Sequence, residues 1–176
     1  DIVFLNWDCQ NDRNPGWSKE RTEAYFKEKF GISKVIWMEG HDPEDVTTGH
    51  IDGTVRFVDE TTVVIAQVVD PSNESYSGEA AELDKAATDA KAAGLTVERF
   101  PIPGTITYNG SMLAVMYMNY LVGNGFVLGM AFGNDQWDSD AKVKLESLYP
   151  TRIVHMVEVN ALWNSGGGVH CVTNDE

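Results

Sequence analysis

Cysteine is scarce in this chain. Cys9 and Cys171 are the only two among 176 residues. They could form one disulfide, but their contexts differ sharply, and two cysteines do not make the framework of a disulfide-stapled secreted domain. Basic side chains are also few: 13 Lys and Arg stand against 27 Asp and Glu, for a net charge of −14. That balance excludes nucleic acid as an expected partner, because phosphate binding needs clustered Lys and Arg. It suits a cationic ligand, attracted over long range, and equally serves plain solubility. Long apolar runs are missing too. The longest candidate, 112–130, is broken by Asn119, Gly123, Asn124 and Gly125, so nothing approaches the ~20 residues of a membrane-spanning helix and no membrane partner is expected. The opening Asp1-Ile-Val-Phe-Leu has neither the basic region nor the apolar length of a signal peptide. It also lacks an initiator Met, and the chain reads as processed or partial.

What is present is an ordinary globular composition, 43% hydrophobic and 23% charged, in a length that suits one domain. Three amphipathic segments read as helices. The first is Lys19–Phe30, with Ser18 as N-cap and Gly31 just beyond its end. The second is 79–93, Ala-rich and stopped by Gly94, and the third is 139–148, with Asp138 as cap and Pro150 beyond. Runs rich in Val, Ile and aromatics read as strands at 2–5, 35–38, 55–58, 62–69, 95–100, 113–122, 126–132 and 152–157. Tight turns are expected at Asp59-Glu60 and at Gly123-Asn124-Gly125. The stretch 70–78 reads as the most mobile loop.

These elements repeat. Phe57-Val58-Asp59-Glu60-Thr61-Thr62-Val63-Val64 aligns with Leu121-Val122-Gly123-Asn124-Gly125-Phe126-Val127-Leu128. Each hairpin leads into a helix and then a third strand. The opening strand, helix and strand look like the same unit without its first strand, and Cys171 falls where a further unit would begin. The expected fold class is therefore α/β, built of strand-strand-helix-strand units. The chain 1–176 is expected to be a single partial domain, cut at both ends.

Two motifs carry chemistry. In Gly166-Gly167-Gly168-Val169-His170-Cys171 the glycines permit positive φ and close approach to a ligand, Gly168 included, and present the thiol beside a His that can favour a reactive thiolate. The bland alternative is a glycine turn beside a small buried Cys. A phosphate cradle is disfavoured because the P-loop Lys is absent. In Gly49-His50-Ile51-Asp52, a strand beginning near Val55 would give His50 and Asp52 the parity of one face, a proton carrier beside a carboxylate that could bind a guanidinium bidentately. The alternative is a surface His and Asp ahead of a strand. A metal site made of His50, Asp52, His170 and Cys171 lacks any tight ligand pair such as HExxH or CxxC, so no metal or other cofactor is expected.

Together the two motifs closely resemble the agmatine deiminase and bacterial peptidylarginine deiminase family. The likeness rests on Gly-His-Ile-Asp ahead of Arg56-Phe57-Val58 and on Gly-Gly-Gly-Val-His-Cys-Val-Thr at 166–173. Asn11-Asp12-Arg13-Asn14-Pro15, Val35-Ile36-Trp37 and Asn119-Tyr120-Leu121-Val122 extend it over almost the whole chain. Family members are longer, and the chain resembles their C-terminal half. The resemblance implies the pentein fold, an α/β propeller of five such units with the site at its centre, here about half present. It implies deimination of agmatine or of peptidyl-arginine, with a small cationic guanidine or an arginine-containing peptide as partner. It assigns Cys171 as nucleophile, His50 as acid and base, and Asp52 as guanidinium clamp, with Asn119 and Gly168 lining the substrate.

Departures are visible. The family's second guanidinium-binding Asp lies outside this chain. Val46 stands where agmatine deiminases carry an acidic residue, which leaves Asp45 as the nearby carboxylate for a substrate's far end. Two rival readings stay open: a catalytically silent half-domain that binds guanidinium or self-associates as a homo-oligomer, and a related activity such as amidino transfer. Trp137 is read as a loop residue with some binding role. Trp7, Trp17, Trp37, Trp163, His41 and His155 are read as structural, and Cys9 as a bystander.

Overall fold

The computed structural model describes residues 1–41, 45–70 and 79–174. The loop expected at 70–78 lies, beyond Asp70, outside the described residues. Two three-stranded sheets share one topology. In the first, β3 (Val55–Phe57) runs antiparallel to β4 (Thr62–Val68), which is parallel to β5 (Thr96–Ile102) across helix α3 (Glu79–Ala92). In the second, β8 (Leu121–Gly123), β9 (Phe126–Ala131), α4 (Asp135–Leu148) and β10 (Ile153–Glu158) repeat the pattern. The opening segment gives the parallel pair alone, β1 (Ile2–Asn6) with β2 (Lys34–Met38), bridged by α1 (Trp7–Arg13) and α2 (Lys19–Phe30).

The core lies between these sheets and their helices. Val63, Val64, Ile65 and Ala66 of β4 are fully buried on both faces, as suits a central strand covered on two sides. Helix α3 lays Leu83, Ala86, Ala87 and Ala90 on it, an i, i+3, i+4, i+7 stripe that small side chains bring close to the sheet. Helix α2 keeps its expected ends: Ser18 Oγ accepts from Arg21 N at 3.3 Å, and Gly31 closes the helix at φ 67°.

Several expectations are corrected. Helix α4 begins four residues before the expected start. Asn134 is its cap, accepting from Trp137 N at 3.1 Å. Asp138 instead accepts from the Tyr117 hydroxyl at 2.7 Å and from the amides of Phe132 and Gly133 at 2.9 Å. The strand expected at 113–122 is two elements. A hairpin of β6 (Thr105–Tyr108) and β7 (Ser111–Ala114) ends at Ala114, and Asn109 and Gly110 at its tip both have positive φ. Residues 115–120 then run buried and irregular to β8. The two repeated hairpins also close differently. Asn124-Gly125 is a two-residue turn between Gly123 and Phe126, whereas β3 and β4 last pair at Phe57 and Val63 and Asp59 Oδ1 gathers the amides of Thr61 and Thr62. Among the described residues no helix is long and apolar enough to cross a membrane.

Candidate active site

Three irregular segments converge beyond the strand ends: the loop 45–53, the buried run 115–120 and the glycine-rich 166–172. Asn6, Thr22 and Asn119 are the buried polar residues among those described, and Asn6 and Asn119 hold these segments. A buried amide is costly unless its groups are paired, so both fix their surroundings.

Asn6 ends β1. Its Oδ1 caps α1 by accepting from Asp8 N at 2.8 Å, and its Nδ2 donates to Gly40 O at 2.8 Å. Gly49 packs against the same side chain. A Cβ there would lie 2.5 Å from Asn6 Nδ2, and the backbone sits at φ 89°, so position 49 demands glycine. Asp45 organises the rest of the loop. Its Oδ1 accepts from Thr47 N and Oγ1 at 2.8 and 2.6 Å, and its Oδ2 from Gly49 N at 2.9 Å. Burial pushes the Asp45 carboxyl up, but these hydrogen bonds outweigh it and hold the group below the usual carboxylate range. Thr47 Oγ1 in turn accepts from His50 N at 3.2 Å. His50 and Asp52 do not share a strand face: Ile51–Gly53 is a 3₁₀ turn closed by Thr54 N donating to Ile51 O at 2.9 Å. The two side chains line one cavity of about 350 Å³ together with Phe4, Asn6, Cys9 and Arg13. Asp52 also borders a neighbouring cavity of about 310 Å³ walled by Val3, Val55, Arg56 and Phe57.

Asn119 fixes the nucleophile candidate. Its backbone carbonyl accepts from His170 N at 3.1 Å, its Oδ1 accepts from Cys171 N at 3.2 Å, and its Nδ2 donates to Cys171 Sγ at 3.2 Å. A Cβ on Gly168 would meet Asn119 Oδ1 at 2.5 Å and Met130 Sδ at 2.6 Å, so the glycine is what lets the two segments approach. Cys171 is exposed, and both cysteines are free. Asp52 Oδ2 accepts from His170 Nδ1 at 2.7 Å and from Cys171 Sγ at 3.5 Å. Burial pushes the Asp52 carboxyl up, while hydrogen bonds from His170 and Asn119 and the charge of His170 bring it net below the usual range. It is therefore an ionised carboxylate beside a thiol.

The structure thus joins Cys171, Asp52, Asn119, Gly168 and His170 in one hydrogen-bonded cluster, with His50 on the cavity that Asp52 shares. Asp45 is set apart, with both carboxylate oxygens engaged by its own loop. Val46 borders Gly166, whose added Cβ would lie 2.9 Å from Val46 Cγ2. Three features escaped the sequence reading: the His170–Asp52 pair, the role of Asn6, and Arg13, whose Nη2 lies 2.7 Å from His50 Nε2. Neither spacing nor periodicity signals contacts between segments so distant in the chain. Trp137 is not in a loop but in the first turn of α4, against Gly104. His41 pairs with Asp8 at 3.0 Å, and Trp163 Nε1 donates to Ala114 O at 2.8 Å. No group of three or more His, Cys, Asp or Glu among the described residues is disposed to hold a metal ion.

An exposed thiol is thus held beside a carboxylate and an amide, with an imidazole on the adjoining cavity. The family model of Porphyromonas-type peptidyl-arginine deiminase matches residues 2–176, and the chain belongs to that family. It is 31% identical over 185 residues to agmatine deiminase of Stutzerimonas stutzeri, covering 94% of this chain and 50% of that protein. It is 30% identical over 186 residues to agmatine deiminase of Pseudomonas fluorescens strain SBW25, with the same coverage. The chain therefore spans about half the length of the curated relatives it matches. Agmatine deiminase of Enterococcus faecalis superimposes with a TM-score of 0.86 at 21% identity, covering 99% of this chain and 53% of that one. Substrate-bound agmatine deiminase of C. jejuni gives 0.83 at 23% identity, covering 96% and 50%. At these identities the two structures establish a common α/β fold.

Proposed function

We propose that this chain carries the nucleophile-bearing half of a hydrolase that deiminates a guanidine, either agmatine or peptidyl-arginine. The observation that carries the reading is the cluster in which Cys171, its sulfur and amide both held by Asn119, contacts the ionised Asp52 carboxylate. The repeated units would be blades of an α/β propeller, with these segments at its centre.

A guanidinium is planar, positively charged and rich in N–H donors, so Asp52 is the group to bind it. As the cationic substrate settles on Asp52, Cys171 passes its proton to neutral His50. The thiolate attacks the guanidinium carbon and forms a C–S bond. Protonated His50 delivers its proton to one nitrogen, which leaves as ammonia, and an amidino-thioether on Cys171 remains. Water then attacks the same carbon while neutral His50 takes its proton. The C–S pair returns to Cys171, and a urea-type product departs, its last proton passing to the ammonia as ammonium. Asp45, with both oxygens engaged, shapes the His50 loop and is not offered as a substrate ligand.

Haloacetamidine labelling near neutral pH, read by intact mass, tests the reading. Fast, saturable modification of Cys171 over Cys9, slowed in His50→Ala, supports it. Equal slow labelling of both thiols overturns it for this chain and favours the silent half-domain. Product analysis with an added amine acceptor separates hydrolysis from amidino transfer.

A further inference from the structure

Arg13 makes an unusual choice of partner. In a protein of net charge −14, this cation belongs to none of the ion pairs among the described residues. Its guanidinium instead points at an imidazole, with Nη2 2.7 Å from His50 Nε2. Both residues line the cavity that Asp52 also borders. The placement is built in. Helix α1 is capped by Asn6 at its start, and Asn14 N donates to Gln10 O at 3.0 Å just past Arg13. Gly49 seats the His50 loop on the same Asn6 side chain. One buried amide therefore sets both partners.

The chemistry of the contact has one solution. A guanidinium offers five N–H donors and no acceptor, so Nε2 of His50 must present its lone pair. An imidazolium has none to offer, so the ring in this arrangement is neutral with its proton on Nδ1. We propose that Arg13 is a positioning residue for His50: it holds the imidazole as the Nδ1–H tautomer, keeps Nε2 as the nitrogen that accepts a proton, and frees that nitrogen when a guanidinium substrate enters. The inference rests on the reading of His50 as the proton carrier of a deiminase. Release follows from charge, because substrate and Arg13 carry the same cationic group into one cavity and repel there. Arg13 is solvent-exposed at the last turn of α1, so its side chain withdraws into water at little cost. Nε2 then takes the proton from the attacking water as oxygen bonds to the amidino carbon and the C–S pair returns to Cys171. Nε2 carries a proton in both half-reactions, but only in hydrolysis of the thioether must it take one from water, so that step, after ammonia has left, depends most on Arg13.

The test uses the full chain with ¹⁵N-labelled histidine and long-range ¹H–¹⁵N correlation, with His50→Gln to assign the ring. The expected native spectrum has a protonated Nδ1 and a bare Nε2 on His50. Arg13→Ala should average or reverse that pattern, and Arg13→Lys, which still donates, should restore it. A native ring with the proton on Nε2, or a pattern unmoved by Arg13→Ala, overturns the proposal. With agmatine as probe, Arg13→Ala should accumulate the covalent Cys171 adduct, visible by intact mass, and lose kcat roughly tenfold while KM stays within about twofold. Faster adduct breakdown, or a change confined to KM, also overturns it. If native chain and variant alike form no adduct and Cys171 is not labelled selectively, the deiminase reading fails, while the ring spectra still decide the contact itself.

Discussion

Gly168→Ala is the sharpest single perturbation of this site. Position 168 carries no left-handed backbone requirement, so the effect of alanine is steric. The new Cβ would lie 2.5 Å from Asn119 Oδ1, 2.8 Å from Asn119 Cβ and 2.6 Å from Met130 Sδ. Both neighbours are tightly packed, Asn119 2% exposed and Met130 0%, so any retreat is costly. Overpacking of this kind costs about 2 kcal/mol, which lowers the urea midpoint by about 1 M for a slope near 2 kcal/mol per M. The easiest relief is for Asn119 to rotate, and that breaks its bonds to Cys171 N and Sγ. A loss of roughly 1.4 kcal/mol of positioning at the thiol slows haloacetamidine labelling about tenfold. Gly53→Ala is the control, since its Cβ would meet only Met116 Sδ at an ordinary 3.5 Å. Asn119→Ala in the Gly168→Ala background removes the contact with Oδ1 and leaves those with Cβ and Met130 Sδ, so the second change should cost less stability there than in the native chain. If Gly168→Ala matches Gly53→Ala in both midpoint and labelling rate, packing at Gly168 does not position Cys171.

Three further outcomes follow from the same contacts. Asn119→Ala alone strands the Cys171 amide and removes the donor to its sulfur, so it should destabilise by about 1–3 kcal/mol in urea unfolding and slow Cys171 alkylation. Asp52 has a carboxyl held below its unfolded value, so its stabilising contribution is present above the ordinary carboxylate pKa near ~4 and is lost as pH falls below it. Urea midpoints measured down through that window should fall less steeply in Asp52→Asn than in the native chain. The buried hydroxyls of Tyr120 and Tyr149 meet at 3.0 Å. Tyr149→Phe leaves Tyr120 unpaired and should cost about 1–3 kcal/mol, with the double Phe variant costing less than the sum of the singles.

Much of the architecture was legible because its signals are local. Ser18 and Gly31 mark α2 through backbone groups within one turn. The Ala stripe of α3 and the apolar run of β4 declare burial by period alone, and the repeat of strand, strand, helix and strand reappears as two sheets of one topology. The errors have local causes too. Asn109-Gly110 is a strong hairpin signal and closes β6 onto β7, while the apolar stretch after it has the composition of a strand without the conformation. Residues 115–120 are apolar because they are buried, not because they are extended. Asp138 passed for a helix cap because Asp is a capping residue, yet Asn134 takes that role and Asp138 ties the helix to Tyr117 and the end of β9. His50 and Asp52 were paired through strand parity, whereas a 3₁₀ turn is what brings them to one cavity.

The sequence by itself determined the α/β class, the repeated unit, the family resemblance, and the two motifs that hold His50, Asp52 and Cys171. These depend on residue type, short spacing and backbone preference, all of which a linear chain displays. Only the tertiary structure decided what those residues touch: Asn119 gripping Cys171 from 52 positions away, His170 set on Asp52, Asp45 consumed by its own loop, and Arg13 set on His50. Side-chain hydrogen bonds are directional and short-ranged, so they exist only once folding has fixed the distances between remote segments. No periodicity in the chain encodes those distances.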